Sequence, residues 1–555
     1  MRRLIWTLVA LVAAGVLFFV YVVPPGAERL DASAWSDLAS RTVPGAYHVH
    51  TTRSDGHGDK PAIAAAAARA GLKFVILTDH GDGTRPPDPP EYAGGVLMLD
   101  AVEISTDEGH LVALDMPRAP YPLGGAADAV VDDVTRLGGF AVAAHPDSEK
   151  PALRWTSDAA VDGLEWLNLD SQWRDESRAA LVRAGVGYLF RKGPALATLL
   201  DRPRTIARWD ALTPHQRVVS LAAADAHGGV GRPAEDPNRS LFGTVGIPSY
   251  EASFRTLSNR VVLDRPLTGN APDDARAVYG AIRKGRVFTA IDALAGPALL
   301  DFWAEAGLTR IEMGDGVESD SDVTILARAL MPAGAEMALM KNGRLLASSF
   351  GDVRRVLTAA DGVYRLEIRV PEAPGTPPVP WVVSNPIYFG AEPRSTARAT
   401  VDRPAAASRA SAIAPFPWRI EKDPSSSAVL RTGDRAATLE YKLGEGGRQS
   451  QFVALATDLS RASFRAIDVS LSGDRPLRVS VQVRAADGRR WGRSYYVDPS
   501  GTDLRVPLAD LRPIAGAGPA VDSAAVTSIL LVIDLTNANP GRSGTLRVGS
   551  SALSN

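Results

Sequence analysis

The chain has 555 residues, enough for three or four domains, and its 45% apolar and 22% charged content is that of an ordinary globular protein. A formal net charge of −2 and the lack of any long basic tract give no electrostatic case for a nucleic-acid partner, so that class is set aside. With no cysteine, disulfides and thiolate ligands are excluded, and any metal site must be built from His, Asp and Glu.

Taken in order, the chain begins with Met1-Arg2-Arg3 and then twenty uncharged, mostly apolar residues, Leu4 to Val23, before Pro24-Pro25. Twenty residues is about the length that spans a hydrocarbon core. Pro25-Gly26-Ala27 is a poor cleavage site, which favours an uncleaved anchor over a signal peptide with a shorter apolar region. Arg2 and Arg3 mark the cytoplasmic side. The expectation is a single pass of the inner or plasma membrane by residues 4–23, with residues 30–555 periplasmic or at the surface.

From 40 to about 235, short apolar runs alternate with Ala-rich helical stretches. Strands are expected over 73–77, 96–104, 111–114, 140–144, 163–169 and 218–224, and helices over 61–70 and 126–137. Such alternation implies a mostly parallel sheet or barrel with covering helices. Helical pieces between 175 and 213 would cap one end, and a helix over 273–284 closes the unit. From 298 to 391 short alternating strands with turn residues between them predict a small β-sandwich. Residues 392–415, rich in Ala, Ser, Arg and Pro, read as a linker, and 416–555 as a second all-β unit of jelly-roll size. The domain plan is therefore 1–29 anchor, 30–297 α/β unit, 298–391 sandwich, 392–415 linker and 416–555 jelly roll.

The residues able to carry chemistry concentrate in the α/β unit. Tyr47-His-Val-His-Thr-Thr-Arg-Ser-Asp-Gly-His-Gly58 holds three His and an Asp in ten positions. If 47–51 is a strand, its two-residue period puts His48 and His50 on one face, and the Ser54-Asp55-Gly56 turn brings Asp55 back towards them. Thr78-Asp79-His80 follows one strand, Glu103 closes the next and His110 opens another. His145-Pro146 and Asp225-Ala226-His227 end two more. In a parallel α/β barrel these ends share one face, which is where active sites sit. Six of the eight His would then converge with three carboxylates.

These motifs resemble those of the polymerase and histidinol phosphatase (PHP) superfamily: HVH at 48–50, SDG at 54–56, TDH at 78–80, VEIS with EGH at 102–110, AHP at 144–146 and DAH at 225–227. The resemblance covers about 40–300 and implies a metal-dependent phosphoesterase on an α/β distorted (β/α)7 TIM-like barrel. GLEWLN at 163–168 and GRVF at 285–288 look most like the branch containing carbaryl hydrolase, whose members often continue into an Ig-like domain. WVVSNPIYFG at 381–390 looks like the end of such a domain.

Carried over to this sequence, the family pattern puts His48, His50, Glu103 and Asp225 on one metal, with Glu103 bridging to a second held by His110 and His145. A third would take Asp55, His80 and His227. The resemblance thus implies two to three divalent ions, with zinc, manganese and iron all compatible with such donors. Paired cations activate water near neutral pH and stabilise the charge that develops on a phosphoryl or acyl oxygen, so the reaction is hydrolysis. The substrate is expected to be a small-molecule phosphate ester, with carboxyl ester, carbamate or amide hydrolysis as the alternative.

Around this set, Asp79 either orients a ligand imidazole or serves as a turn carboxylate. Arg232 either binds a substrate anion by its guanidinium fork or is solvated. His57 either packs outside the metals, or substitutes at the Asp55 position or contacts substrate; Glu165 either faces the site or closes a structural ion pair, and His215 is read as structural. In 416–555, which weakly resembles galactose-binding-like jelly rolls, Trp418, Trp491, Tyr495 and Tyr496 either stack on a glycan or fill a core. A cell-envelope carbohydrate-binding protein is the competing class of function.

Overall fold

The structure is a computed structural model, and it describes residues 2–229, 247–317, 323–351, 353–358, 361–371, 373–390, 416–448, 450–459, 464–514 and 518–555. Arg232 and the expected linker 392–415 lie outside the described residues.

Arg2–Val22 is a single helix whose stretch Ile5–Val22 is long and apolar enough to cross a membrane, and almost none of it is buried against the protein. The chain then enters a sheet-rich body. Thr42–Val49 pairs in parallel with Phe74–Leu77, which pairs in parallel with Val96–Asp100. The crossover is the helix Lys60–Ala70. Asp59 caps it by accepting from the Ala62 N–H, Pro61 fits its first turn, and Gly71 ends it at φ 82°. Its Ile63, Ala64, Ala66 and Ala67 are buried against the sheet.

A second sheet runs in the order Val219–Ala223, Gly163–Asn168, Phe140–Ala143, Gly109–Leu114, Val102–Thr106. Two isolated parallel bridges, Val49 to Ala226 and His80 to Glu103, join it to the first sheet, so the pairing path returns on itself. This departs from the regular parallel barrel expected from the alternation in two ways. The apolar run 96–104 breaks at Ala101 into Val96–Asp100, in the first sheet, and Val102–Thr106, in the second. Gly109–Leu114 runs antiparallel to both neighbours. The reason is the two-residue turn Asp107-Glu108, because so short a connection joins only antiparallel strands. A strand at Ser258–Val262 went unpredicted; it lies antiparallel beside Thr42–Val49.

The first sheet does not stop at the α/β unit. Val287–Ala290 pairs with Val382–Ser384, which carries the hydrogen-bonding path into the following all-β segment. Past residue 416 lie a six-stranded and a five-stranded sheet that share one core, with Leu439, Leu471 and Leu546 from one meeting Val453, Val481 and Ile529 from the other. This β-sandwich is docked on the α/β unit. The buried Arg478 guanidinium bonds Asp132, Asp133 and the Ala129 carbonyl of the helix Ala127–Arg136, and Arg136 lies over the Tyr496 ring.

Candidate metal centre

The site forms where the strand ends and the two bridges meet. Glu103, on Val102–Thr106, is 1% exposed and central. Its Oε1 lies 2.8 Å from His110 Nδ1 and 2.8 Å from His145 Nε2. Its Oε2 lies 3.3 Å from His48 Nε2, 3.3 Å from His50 Nε2 and 3.2 Å from His80 Nδ1. Five imidazoles therefore surround one carboxylate, divided between its two oxygens. On the Oε2 side, Asp225 Oδ1 approaches His48 and His50 at 3.5 and 3.4 Å. Asp55 Oδ2 approaches His80 and His227 at 3.6 and 3.4 Å.

Every His, Asp and Glu expected at the metals is thus in one cluster, and the donor atoms gather into five overlapping groups able to hold an ion. The overlap matters for the expected division among three metals. His50 groups with Glu103, with Asp225 and His227, and with Asp55 and His80, and His80 groups with Glu103 and His110 as well as with Asp55.

The backbone is bent to achieve this. His48, His145 and Asp225 have φ of 64°, 34° and 43°, a left-handed conformation that L-residues other than Asn and Asp rarely adopt and that collects at functional sites. For His48 this revises the simple pleat argument. The pairing of Thr42–Val49 shifts register between Ala46 and Val49, and His50 lies beyond the strand end. The two rings still come together, 5.1 Å between centroids, through a bulge-like bend and not through strict alternation.

Neighbouring groups fix the ligands. Glu165, fully buried, accepts from His48 Nδ1–H at 2.6 Å, from the His145 backbone N–H at 2.7 Å and from Asn168 Nδ2–H at 2.8 Å. Asn168 also donates to Asp225 Oδ2 at 3.1 Å. Glu165 therefore fills the imidazole-orienting role that the sequence offered to Asp79. Asp79 instead accepts from the Thr51 N–H and hydroxyl, both at 2.8 Å, and from the Ser54 hydroxyl at 2.6 Å, which fastens the loop carrying His50 and Asp55. Gly56 completes that loop by close approach, since a Cβ there would sit 2.3 Å from the His50 carbonyl oxygen. Asn168 had no signal beyond its place at a strand end.

The electrostatics follow from burial among opposite charges. Burial works against the Glu103 carboxylate, yet His48, His110 and His145 hold its pKa well below the usual range. Burial also opposes a charged His145 and His227, but the carboxylates beside them win and push each up to about 9. Among the buried side-chain atoms without a hydrogen-bond partner in the described residues are His48 Nε2 and Glu103 Oε2, which face each other inside the cluster. An imidazole nitrogen and a carboxylate oxygen left bare at 3.3 Å suit a shared cation, so the donor set fits divalent metal.

His57 belongs to none of the ion-holding groups and meets His227 through its backbone N–H, while His215 is exposed. Arg174, a cation that sequence reading passed over, interacts electrostatically with two carboxylates of the cluster. Burial disfavours the charge on Arg174, but Asp170, and beyond it Asp225 and Asp55, stabilise it. Its Nε–H donates to Asp170, a residue on the same short helix, Leu169–Arg174. Of the four aromatics offered for glycan stacking, Trp418 and Trp491 are core residues. Tyr495 packs against that core and Tyr496 is covered by Arg136.

No family model matches the chain, and no curated protein does. Among solved structures, it is similar to a two-domain protein from Bacteroides vulgatus containing a predicted PHP-like metal-dependent phosphoesterase. That match has 14% identity over 62% of this chain and 94% of the other, with a TM-score of 0.29. A family 11 carbohydrate-binding module of a cellulosomal cellulase of Clostridium thermocellum is similar at 14% identity over 26% of this chain and 94% of the module, with a TM-score of 0.21. Likenesses this distant transfer no activity, which has to be read from the residues of the centre.

Proposed function

We propose that the chain is a membrane-anchored, extracytoplasmic metal-dependent hydrolase of the PHP type that cleaves a phosphate ester, with two to three divalent ions held by His48, His50, Asp55, His80, Glu103, His110, His145, Asp225 and His227. The observation that carries this reading is the pair of bare buried atoms, His48 Nε2 and Glu103 Oε2, inside a complete shell of imidazoles and carboxylates. Leaving such groups unpaired costs free energy that a cation recovers. When bound, the ions supply Lewis acidity and a water acidic enough to attack near neutral pH.

The chain's own residues do the rest. Glu103 spans the two halves of the centre through its two oxygens. Glu165 holds the His48 Nδ1 proton and so turns Nε2 inward. Asp79 keeps the His50 and Asp55 loop closed. Arg174, whose charge interacts with Asp225 and Asp55 but whose Nε–H is held by Asp170, is a candidate for the distal oxygens of a phosphoryl substrate. Arg232 stays a second candidate for the same task. Hydrolysis of a carboxyl ester, carbamate or amide, as the carbaryl-hydrolase-like motifs suggest, is the alternative on the same site. A glycan-binding role for 416–555 would need a surface other than the four named aromatics.

The test is a metal count on the purified full chain, followed by turnover of phosphomonoesters, phosphodiesters and carboxyl esters by the protein and by its Glu103→Gln and His145→Ala variants. Two or more equivalents of metal with phosphoester turnover lost in both variants is the expected result. A protein that holds no metal sinks the proposal, and turnover confined to carboxyl esters moves it to the alternative.

A further inference from the structure

The helix Arg178–Tyr188 and the residues after it present an apolar surface to solvent beside the end of the N-terminal helix. Val182, Leu189 and Phe190 are 69%, 76% and 58% exposed. Single exposed apolar side chains are ordinary, but Val182 and Leu189 are seven positions apart, two helical turns, and so share a face. That face adjoins the apolar helix directly. The rings of Phe19 and Phe190 meet edge to face at 5.3 Å, and the Arg183 guanidinium lies 5.7 Å from the Tyr21 ring centroid. Arg191 donates to the Pro24 carbonyl at 2.6 Å.

Within the segment that forms the patch the charges have one sign. Residues 178–192 contain Arg178, Arg183, Arg191 and Lys192 and no acid. Among the described residues, none of these four pairs with a carboxylate. Cations interleaved with large apolar side chains, continuous with an apolar helix of spanning length, are what an anionic bilayer surface selects. We infer that this face is a second membrane contact. Val182, Leu189 and Phe190 enter the boundary between headgroups and acyl chains, while the four cations meet lipid phosphates. The inference rests on the proposed membrane span of residues 4–23.

Such a contact would fix the catalytic unit on the bilayer instead of leaving it swinging on a tether. The connection to the metal centre is short. Tyr188 donates to the Ser249 hydroxyl and accepts from the Ser249 N–H, and its neighbour Tyr250 donates to the His50 carbonyl at 2.8 Å.

The absence of native cysteine makes the test direct. Leu189→Cys, and as a distant control Leu345→Cys, which is 54% exposed in the native residue, carry an environment-sensitive probe in the full chain reconstituted in phosphatidylcholine vesicles with or without phosphatidylglycerol. Flotation at alkaline pH checks the span by itself, so failure of the anchor and failure of the patch are separate results. The expected outcome is a blue-shifted probe at 189, quenched by acyl-chain-borne quencher about tenfold more than at 345 in the anionic vesicles, and released by Arg183→Glu combined with Lys192→Glu. Equal aqueous quenching at 189 and 345, or insertion at 189 indifferent to lipid charge, overturns the inference.

Discussion

Glu103 is the residue the centre cannot lose, because five imidazole nitrogens address its two oxygens. Glu103→Gln keeps the shape and removes the charge, so metal content measured by elemental analysis should fall by at least one equivalent. Glu165 acts one step out. Glu165→Gln removes the anion that orients His48, and outer carboxylates of this kind typically change metal affinity by about 10–100-fold, read by competition with a chelator. Arg174→Ala should leave metal content intact and raise KM for a phosphoester by about tenfold, the scale of one charge-assisted hydrogen bond. An unchanged KM would leave Arg174 as a partner of Asp170 alone.

The same imidazoles give the centre a pH signature. His145 and His227 hold protons up to about 9, above the ordinary 6.5, so their added stability in the metal-free fold is complete below 6.5 and lost as pH rises through about 9. Metal requires the neutral rings, so loading expels those protons and affinity climbs across the same window. Calorimetric titrations at pH 7.5 in buffers of different ionisation heat should register a net release; no release would contradict the assignment.

At the scale of elements, the hairpin Val102–Thr106 with Gly109–Leu114 delivers Glu103 and His110 from adjacent strands. Its turn leaves no room for a side chain at Gly109, where φ is 112° and a Cβ would lie 2.5 Å from the Arg154 carbonyl oxygen. Gly109→Ala should cost about 1–3 kcal/mol in denaturant unfolding and weaken metal binding, because the turn can relax only by moving His110. The motif EGH is thus legible as chemistry, while the requirement for glycine inside it belongs to a neighbouring loop. The expected pleat from His48 to His50 has the same lesson: the two rings do come together, but the bend at His48 came from pairing that no local pattern records.

For the whole molecule, the C-terminal sandwich is docked by buried charge. Arg478 meets Asp132 and Asp133 at 2.9 and 2.8 Å. Arg478→Met removes one of two cations from Asp133, which keeps Arg136 and the Tyr121 hydroxyl on its other oxygen, and should lower stability by about 1.5–3 kcal/mol in thermal or denaturant melts of the full chain. A change under about 1 kcal/mol would mean that the sandwich is held elsewhere.

While the strand Ser258–Val262 and the break at Ala101 left no local signal, sequence alone determined part of the inventory: the strands at 73–77, 111–114, 140–144, 163–169 and 218–224, a helix of spanning length near the N-terminus, and six His and three carboxylates as one set. Those are local facts, set by hydrophobic period, by composition and by donor type at strand ends. The tertiary structure decided the rest. That Glu165 and not Asp79 faces an imidazole, that Arg174 interacts with carboxylates of the cluster, and that the aromatics of the sandwich are core or covered all depend on pairs far apart in the chain. The direction of a strand, the seam between two sheets and the partner of a buried charge are fixed by packing between distant segments, and periodicity along the chain carries no record of them.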